Sequence, residues 1–243
     1  MSAAGSSGPE AGRALVTAVM GAMREEVARL ETALEGASEE RQGPFRWLRG
    51  RLEGAEVLLA ECGIGKVNAA ALTQALLAAG ARRLVFTGVA GAVDPALRVG
   101  DVVVSRDAVQ HDVDVTGLGY ALGEVPGSGT AWDADPALVA AARAAAAELP
   151  GVKVLVGRVA SGDTFVADAA TTERLRRDFD AACTEMEGAA VAQVCHRWGV
   201  PFVIVRSVSD SADHDAEVSF RAFTEVAAAN ADRVVRGLLR RLG

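Results

Sequence analysis

Short apolar runs alternate with helical stretches along almost the whole chain, and this alternation limits the available folds more than any other feature. Ala14 to Met20, Arg83 to Thr87, Gly100 to Ala108, Lys153 to Ala160 and Pro201 to Val208 each read as a strand. Helical patterns lie between them. Arg24 to Leu34 places Val27, Leu30 and Leu34 on one face, and an Ala-rich stretch ends near Gly80. Pro136 to Leu149 is opened by proline and closed by Pro150-Gly151. Ala169 to Arg177, Ala189 to Trp198 and Ser219 to Leu242 follow, the last with Ser219 as its cap. Phe45 to Leu52 and Glu56 to Glu61 read as a hairpin turning at Glu53-Gly54-Ala55. Such alternation predicts an α/β fold, a mostly parallel or mixed, twisted sheet flanked by helices with right-handed crossovers. No linker and no internal repeat divides the chain. We expect one domain over residues 14–243, preceded by a disordered leader at 1–13, where Gly, Ser and Ala offer nothing periodic to bury.

A chain of 243 residues buries roughly 70–75% of its extended surface and needs no staple. Half the residues are hydrophobic and only 5% are aromatic, so the core should be Ala, Val and Leu. The formal charge of −7 argues against nucleic acid or an anionic membrane as partner. No apolar stretch reaches the about 18 residues of a membrane span, and no secretory leader pattern is present. A soluble cytoplasmic protein is expected. Cys62, Cys183 and Cys195 sit in apolar runs without CxxC spacing, which reads as core packing.

Several stretches carry chemical information. Thr184-Glu185-Met186-Glu187-Gly188 sets two carboxylates around a soft apolar side chain where a strand passes into a helix. Open α/β folds place ligands at such junctions. Acids also open helices for electrostatic reasons alone, so the stretch is ambiguous by itself. The next strand ends in Ser209-Asp210, and this favours a site. Cys62-Gly63-Ile64-Gly65-Lys66-Val67 leads into a helix but fails the Walker pattern, because Val67 replaces Ser/Thr. It fails the dinucleotide fingerprint too, with Asn68 in place of the third glycine. A tight turn close to a ligand fits it better. The small residues Gly88-Val89-Ala90-Gly91-Ala92 follow a strand; they suit either close approach to a substrate or neighbouring element, or a close-packed crossover. Alternation in a strand or turn accounts for His111-Asp112-Val113-Asp114 better than metal binding does. Val115 to Gly129, with five glycines, reads as a long exposed loop.

Glu26, Glu185, Glu187, Arg206, Ser209 and Asp210 should converge along one edge of a parallel sheet. Cleaving a glycosidic bond needs this kind of set: one carboxylate as base for water, one acid for the leaving group, and acceptors for sugar hydroxyls. The chain resembles the 5′-methylthioadenosine/S-adenosylhomocysteine nucleosidases of the nucleoside phosphorylase superfamily. The resemblance rests on seven stretches in order. They are Gly21-Ala22-Met23-Arg24-Glu25-Glu26-Val27, Gly63 to Val67, Thr87 to Gly91, His111 to Thr116, Ser161-Gly162-Asp163-Thr164-Phe165, Glu185 to Glu187, and Arg206 to Asp210.

The resemblance implies that Glu26 activates the attacking water. Asp210, held by Ser209, would protonate the purine N7. Glu187 would accept both ribose hydroxyls, with Met186 under the ribose and Arg206 ordering the carboxylates, Glu185 among them. Phe165 would stack on adenine while the Val166 backbone reads its edge, and Met23, Ile64 and Phe220 would close the sugar and alkylthio ends. It also implies a homodimer in which Val115, Leu118 and Tyr120 complete a neighbour's alkylthio pocket, with no cofactor and no metal. Three positions depart from the family pattern: Arg24 in place of an acid, Val89 in place of Ser, and Leu118 in place of an aromatic. They leave substrate choice open among 5′-substituted adenosine nucleosides, aminodeoxyfutalosine included. Two rival readings remain. One is a purine nucleoside phosphorylase, which Arg24 would serve; the other is a non-catalytic adenosine-ligand sensor.

Overall fold

The computed structural model describes residues 15–213 and 216–242, so the leader expected at 1–13 lies outside the described residues. It shows a mixed sheet with helices on both faces. The strands are β1 (Thr17–Gly21), β2 (Glu35–Gln42), β3 (Phe45–Leu52), β4 (Ala55–Glu61), β5 (Arg83–Ala92), β6 (Val102–Gln110), β7 (Ala131–Asp133), β8 (Val154–Ser161), β9 (Ala181–Glu185) and β10 (Phe202–Asp210). The helices are α1 (Arg24–Thr32), α2 (Lys66–Ala78), α3 (Pro136–Ala146), α4 (Ala169–Phe179), α5 (Gly188–Trp198) and α6 (Ala216–Leu242).

The central strands obey a period of two, which sends alternate side chains to opposite faces. Met20, Phe86, Phe202 and Ile204 pack with Leu72 and Leu76 of α2 and Val191 and Cys195 of α5. Val19, Val85, Val203 and Val205 pack on the other face with Leu30 of α1, Leu138 of α3 and Leu238 of α6. All three cysteines are free; Cys183 and Cys195 are buried in the core and Cys62 packs against it. Among the described residues, no helix is long and apolar enough to cross a membrane.

β5 is the strand that organises the sheet. One edge pairs with β10 from Leu84 to Gly91. The other edge pairs first with β1, up to Phe86, and then with β9, from Gly91. Strands β5, β10, β6, β8 and β9 thus close into a ring, while β1, β4, β3 and β2 extend outward as an open sheet. The change of neighbour leaves residues 87–90 paired with neither β1 nor β9. A break of this type is where α/β sheets admit a ligand.

Several boundaries differ from expectation. β5 continues to Ala92 instead of ending at Thr87, because the glycines that read as a stop lie inside the strand. β2, polar apart from Gly36 and Ala37 and mostly exposed, has no apolar face to reveal it. It pairs antiparallel with β3. β7 emerges just after the glycine-rich loop and pairs with β6. α1 ends at Thr32, before Leu34. Helix α6 already includes Ala216, so Ser219 lies within it rather than at its cap. The sheet is mixed. Strands β2, β3 and β4 form an antiparallel meander, and β6 and β9 run antiparallel to β10 and β5.

Candidate active site

A cavity of about 380 Å³ opens beside the break in the sheet. Twelve of the residues singled out in the sequence line it: Met23, Glu26, Ile64, Val89, Phe165, Val166, Glu185, Met186, Glu187, Ser209, Asp210 and Phe220. Arg206 lies directly behind them. Val115, Leu118 and Tyr120 do not line this cavity; Leu118 is 77% exposed.

Glu26 enters from the first turn of α1 and fills the gap in β5. Its carboxylate accepts from the backbone N–H groups of Ala22 (2.6 Å) and Met23 (2.9 Å), which head α1, and of Val89 (2.9 Å). A carboxylate therefore takes the hydrogen bond that a neighbouring strand would otherwise make. Burial pushes its pKa up, and this outweighs the opposing pull of Arg206 and the three N–H groups.

Glycine is needed on β5 for this approach. A Cβ at Gly88 would stand 2.3 Å from both the Glu26 carboxylate and the Arg206 guanidinium, and one at Gly91 would stand 2.8 Å from the Asp210 carboxylate. Of the two uses left open for these small residues, close approach to a neighbouring element is the one realised.

Glu185 ends β9 and turns back over the start of α5. It accepts from the Gly188 N–H at 2.8 Å, from the Ser161 hydroxyl and from Arg206. The Ser161 hydroxyl in turn accepts from the Ala189 N–H at 2.7 Å. Glu185 thus opens a helix and also lines the cavity. Ser161 escaped attention as a single residue; its signal was a polar side chain closing an apolar strand. Glu187 accepts from the Gly65 N–H at 2.8 Å and stands 3.8 Å from Arg206. Burial, then the neighbouring Glu185 charge, push Glu187 up to about 7 despite Arg206.

Arg206 is 1% exposed and stacks over the Phe86 ring at 4.2 Å. Burial works against its charge, but Glu185, Glu26 and Glu187 together hold its pKa above the ordinary value. Asp210 accepts from Ser209 (2.8 Å) and from the Ala212 N–H (2.9 Å). Burial nevertheless raises its pKa, since these two bonds oppose the rise only partly.

The remaining walls are apolar. Phe165 and Phe220 meet edge to face at 5.7 Å. Met23, Ile64, Val89 and Met186 continue the apolar lining. The turn carrying Ile64 is held by Asn68, which donates to the Ile64 carbonyl at 2.7 Å. This is the residue that broke the dinucleotide fingerprint. No Lys, Arg or His lines the cavity among the described residues. Arg24 points elsewhere: it pairs with Glu31 and borders a separate groove with Trp47 and Glu61. Among the described residues no group of His, Cys, Asp and Glu is placed to hold a metal.

The chain thus sets buried carboxylates in a cleft at a break in a mixed α/β sheet. A family model described as the phosphorylase superfamily matches residues 16–240. The 5′-methylthioadenosine/S-adenosylhomocysteine nucleosidase of Geobacillus kaustophilus is 47% identical over 91% of this chain and 95% of the relative. The Neisseria meningitidis nucleosidase of the same name, solved with methylthio-immucillin-A, superposes with a TM-score of 0.90 at 40% identity, covering 93% of this chain and 99% of the other. Futalosine hydrolase of Helicobacter pylori superposes with a TM-score of 0.88 at 35% identity, covering 93% and 98%. The chain belongs to the phosphorylase superfamily and, within it, to the 5′-methylthioadenosine/S-adenosylhomocysteine nucleosidase family.

Proposed function

We propose that this protein is an N-ribosyl hydrolase acting on 5′-methylthioadenosine and S-adenosylhomocysteine. It releases adenine with 5-methylthioribose or S-ribosylhomocysteine. The observation that carries this is the pairing of two buried acids, Glu26 and Asp210, on one cavity whose lining holds no cation among the described residues.

In this reading the oxygen of a water attacks the anomeric carbon while its proton passes to Glu26. The carbon–nitrogen bond breaks, and Asp210 supplies the proton that adenine N7 gains as it leaves. Ser209 orients Asp210. Glu187 accepts from the ribose hydroxyls, Met186 underlies the ring, Phe165 stacks on the base, and the Val166 backbone reads its edge. Met23, Ile64 and Phe220 enclose the sugar and the 5′ substituent. Arg206 neutralises the carboxylates from behind, joined to Glu185.

A phosphorylase would need a cation for its phosphate, and both candidates are engaged elsewhere. Arg24 is turned away, and Arg206 lies under the carboxylates. Adenine release from methylthioadenosine, measured with and without phosphate, decides the matter. We expect equal rates and free methylthioribose; a ribose 1-phosphate product would overturn hydrolysis, and binding without turnover would make the protein a sensor.

We further propose a homodimer working in the cytoplasm. Unpaired cysteines suit that reducing compartment. Leu118 and Tyr120 present apolar surface on a glycine-rich loop, which suits the completion of a second copy's alkylthio pocket together with Val115. The similarity to futalosine hydrolase supports testing aminodeoxyfutalosine as a second substrate.

A further inference from the structure

Three turns meet beside the cavity, and three residues tie them into a closed ring. The backbone N–H of Lys66, at the start of α2, donates to Asp163 at 2.9 Å. The backbone N–H of Asp163 donates to Asp112 at 3.0 Å. The Lys66 ammonium closes the ring, donating to the other oxygen of Asp112 at 2.6 Å, and also donates to Gln110 at 3.1 Å. The Lys66 side chain is only 15% exposed.

Both ends of this ring reach residues that line the cavity. Gly65, one peptide before Lys66, donates its N–H to Glu187. Its φ of +100° commits that N–H to a backbone shape that few other residues adopt. Asp163 stands two residues before Phe165. We propose that Lys66 is a positioning residue, which acts through the Gly65 peptide to aim the Glu187 carboxylate at the ribose hydroxyls.

The physical case is one of constraint. Among the described residues the Gly65 N–H is the hydrogen-bond donor to the Glu187 carboxylate, and it lies in a turn rich in glycine. Such a turn keeps its shape only if something fixes its ends. Asn68 fixes Ile64 on one side, and the ring fixes Lys66 on the other. Charge-assisted bonds are the stronger kind, and this one is partly shielded from water. Asp112 reflects the grip: burial pushes its pKa up, yet the Lys66 bond and the Asp163 N–H together hold it below the ordinary value.

The proposal rests on the reading of Glu187 as the ribose acceptor, and the experiment separates the two. Adenine release from methylthioadenosine and from its 2′-deoxy counterpart is measured for wild type, Lys66→Met, Lys66→Arg and Asp112→Asn. Lys66→Met and Asp112→Asn should lower kcat/KM on the ribonucleoside roughly tenfold, the scale of a small misplacement. The 2′-deoxy substrate should lose less, so the preference for ribose shrinks. Lys66→Arg should restore most of it. An unchanged preference in Lys66→Met, or Lys66→Arg no better than Lys66→Met, overturns the proposal. If Lys66→Met does not fold, Asp112→Asn decides alone, by the same ratio. A wild type that cleaves both substrates equally well, or neither, overturns the reading of Glu187 or of the function instead.

Discussion

Arg49 and Arg206 each sit among glutamates, one at the surface and one in the interior, and burial is the main difference between them. Arg49 on β3 donates to Glu40 at 2.6 Å and to Glu56 at 2.5 Å, with side chains about one-third exposed. Arg206 on β10 faces Glu185 and Glu187, with side chains 1%, 4% and 7% exposed. At the surface the pairing lowers the Glu40 pKa, through the Arg49 bond first. In the interior the same chemistry leaves Glu187 raised, because burial outweighs the guanidinium. The difference teaches that the arrangement of charges does not set their behaviour by itself. Desolvation decides whether an acid stays a spectator anion or becomes a group that titrates near neutrality.

The strongest way to break the comparison is Arg206→Met. It removes the cation and leaves three carboxylates facing one another in the interior. Breaking a buried pair costs about 3–5 kcal/mol. Denaturant unfolding should show a loss of that order, together with loss of adenine release. A variant of near-wild-type stability would mean that the buried cluster is neutralised by protons rather than by arginine.

Glu26→Gln sharpens the comparison next, since it changes charge without shape. Its amide can still accept from Val89, but it cannot take a proton from water. Turnover should fall roughly 10²–10⁴-fold, the range for general acid–base groups. Stability should change little, because relief of an acid that folding disfavours as an anion offsets the bonds from Ala22 and Met23, which the amide NH2 cannot accept. Near-normal turnover would remove Glu26 from the chemistry.

The buried cluster was far more legible in the sequence than the exposed one. Glu185, Met186 and Glu187 stood out as two acids flanking an apolar residue at a strand end, although acids also open helices and the stretch is ambiguous alone. Ser209-Asp210 ended an apolar strand in the same way. The exposed cluster gave no signal, since Glu40 lies on β2, a strand written in Glu-Gly-Ala-Ser-Glu-Glu-Arg-Gln. Nothing in that stretch alternates. Its pairing rests on backbone bonds to β3 and on ion pairs such as Arg46 with Glu39. Gly88 and Gly91 misled for the opposite reason. Glycine ordinarily interrupts a strand, but here it lets β5 continue past two side-chain carboxylates. The ring through Lys66, Asp112 and Asp163 joins positions far apart in sequence, and local pattern could not reveal it. The loop residues Val115, Leu118 and Tyr120 answer to a second copy in our proposal, and within the chain Leu118 and Tyr120 are exposed, so packing in one chain gives little to read.

A third test uses pH. Glu187 is raised from its ordinary value of 4.5 to about 7, so folding favours its protonated form. The sign follows: its contribution to stability is fully present below the unfolded value and is lost as pH rises through about 7. Glu26 and Asp210 are raised as well and act in the same direction. On the proposed role of Glu187, ribose recognition wants the opposite, an ionised carboxylate. Lowering the pH from about 7 toward 4.5 should therefore raise the thermal midpoint while KM for the ribonucleoside worsens. Glu187→Gln should flatten the KM profile. If stability and KM move together, or the profile survives in Glu187→Gln, another group controls recognition.

The smallest effect belongs to the exposed cluster, and it is the control for all the others. Arg49→Met removes a cation holding two glutamates, as Arg206→Met does. Here water can solvate Glu40 and Glu56 once the arginine is gone, and Trp47 still donates to Glu40 at 2.8 Å. Exposed pairs contribute about 0–1 kcal/mol, and salt screens them. The variant should unfold within about 1 kcal/mol of wild type, release adenine at the wild-type rate, and lose what difference remains in high salt. The depressed pKa of Glu40 places the pair's contribution above that group's ordinary range, so it should fade in acid. A loss as large as that of Arg206→Met would show that β2 and β3 are held by charge rather than by backbone pairing, and that burial is not what separates the two clusters.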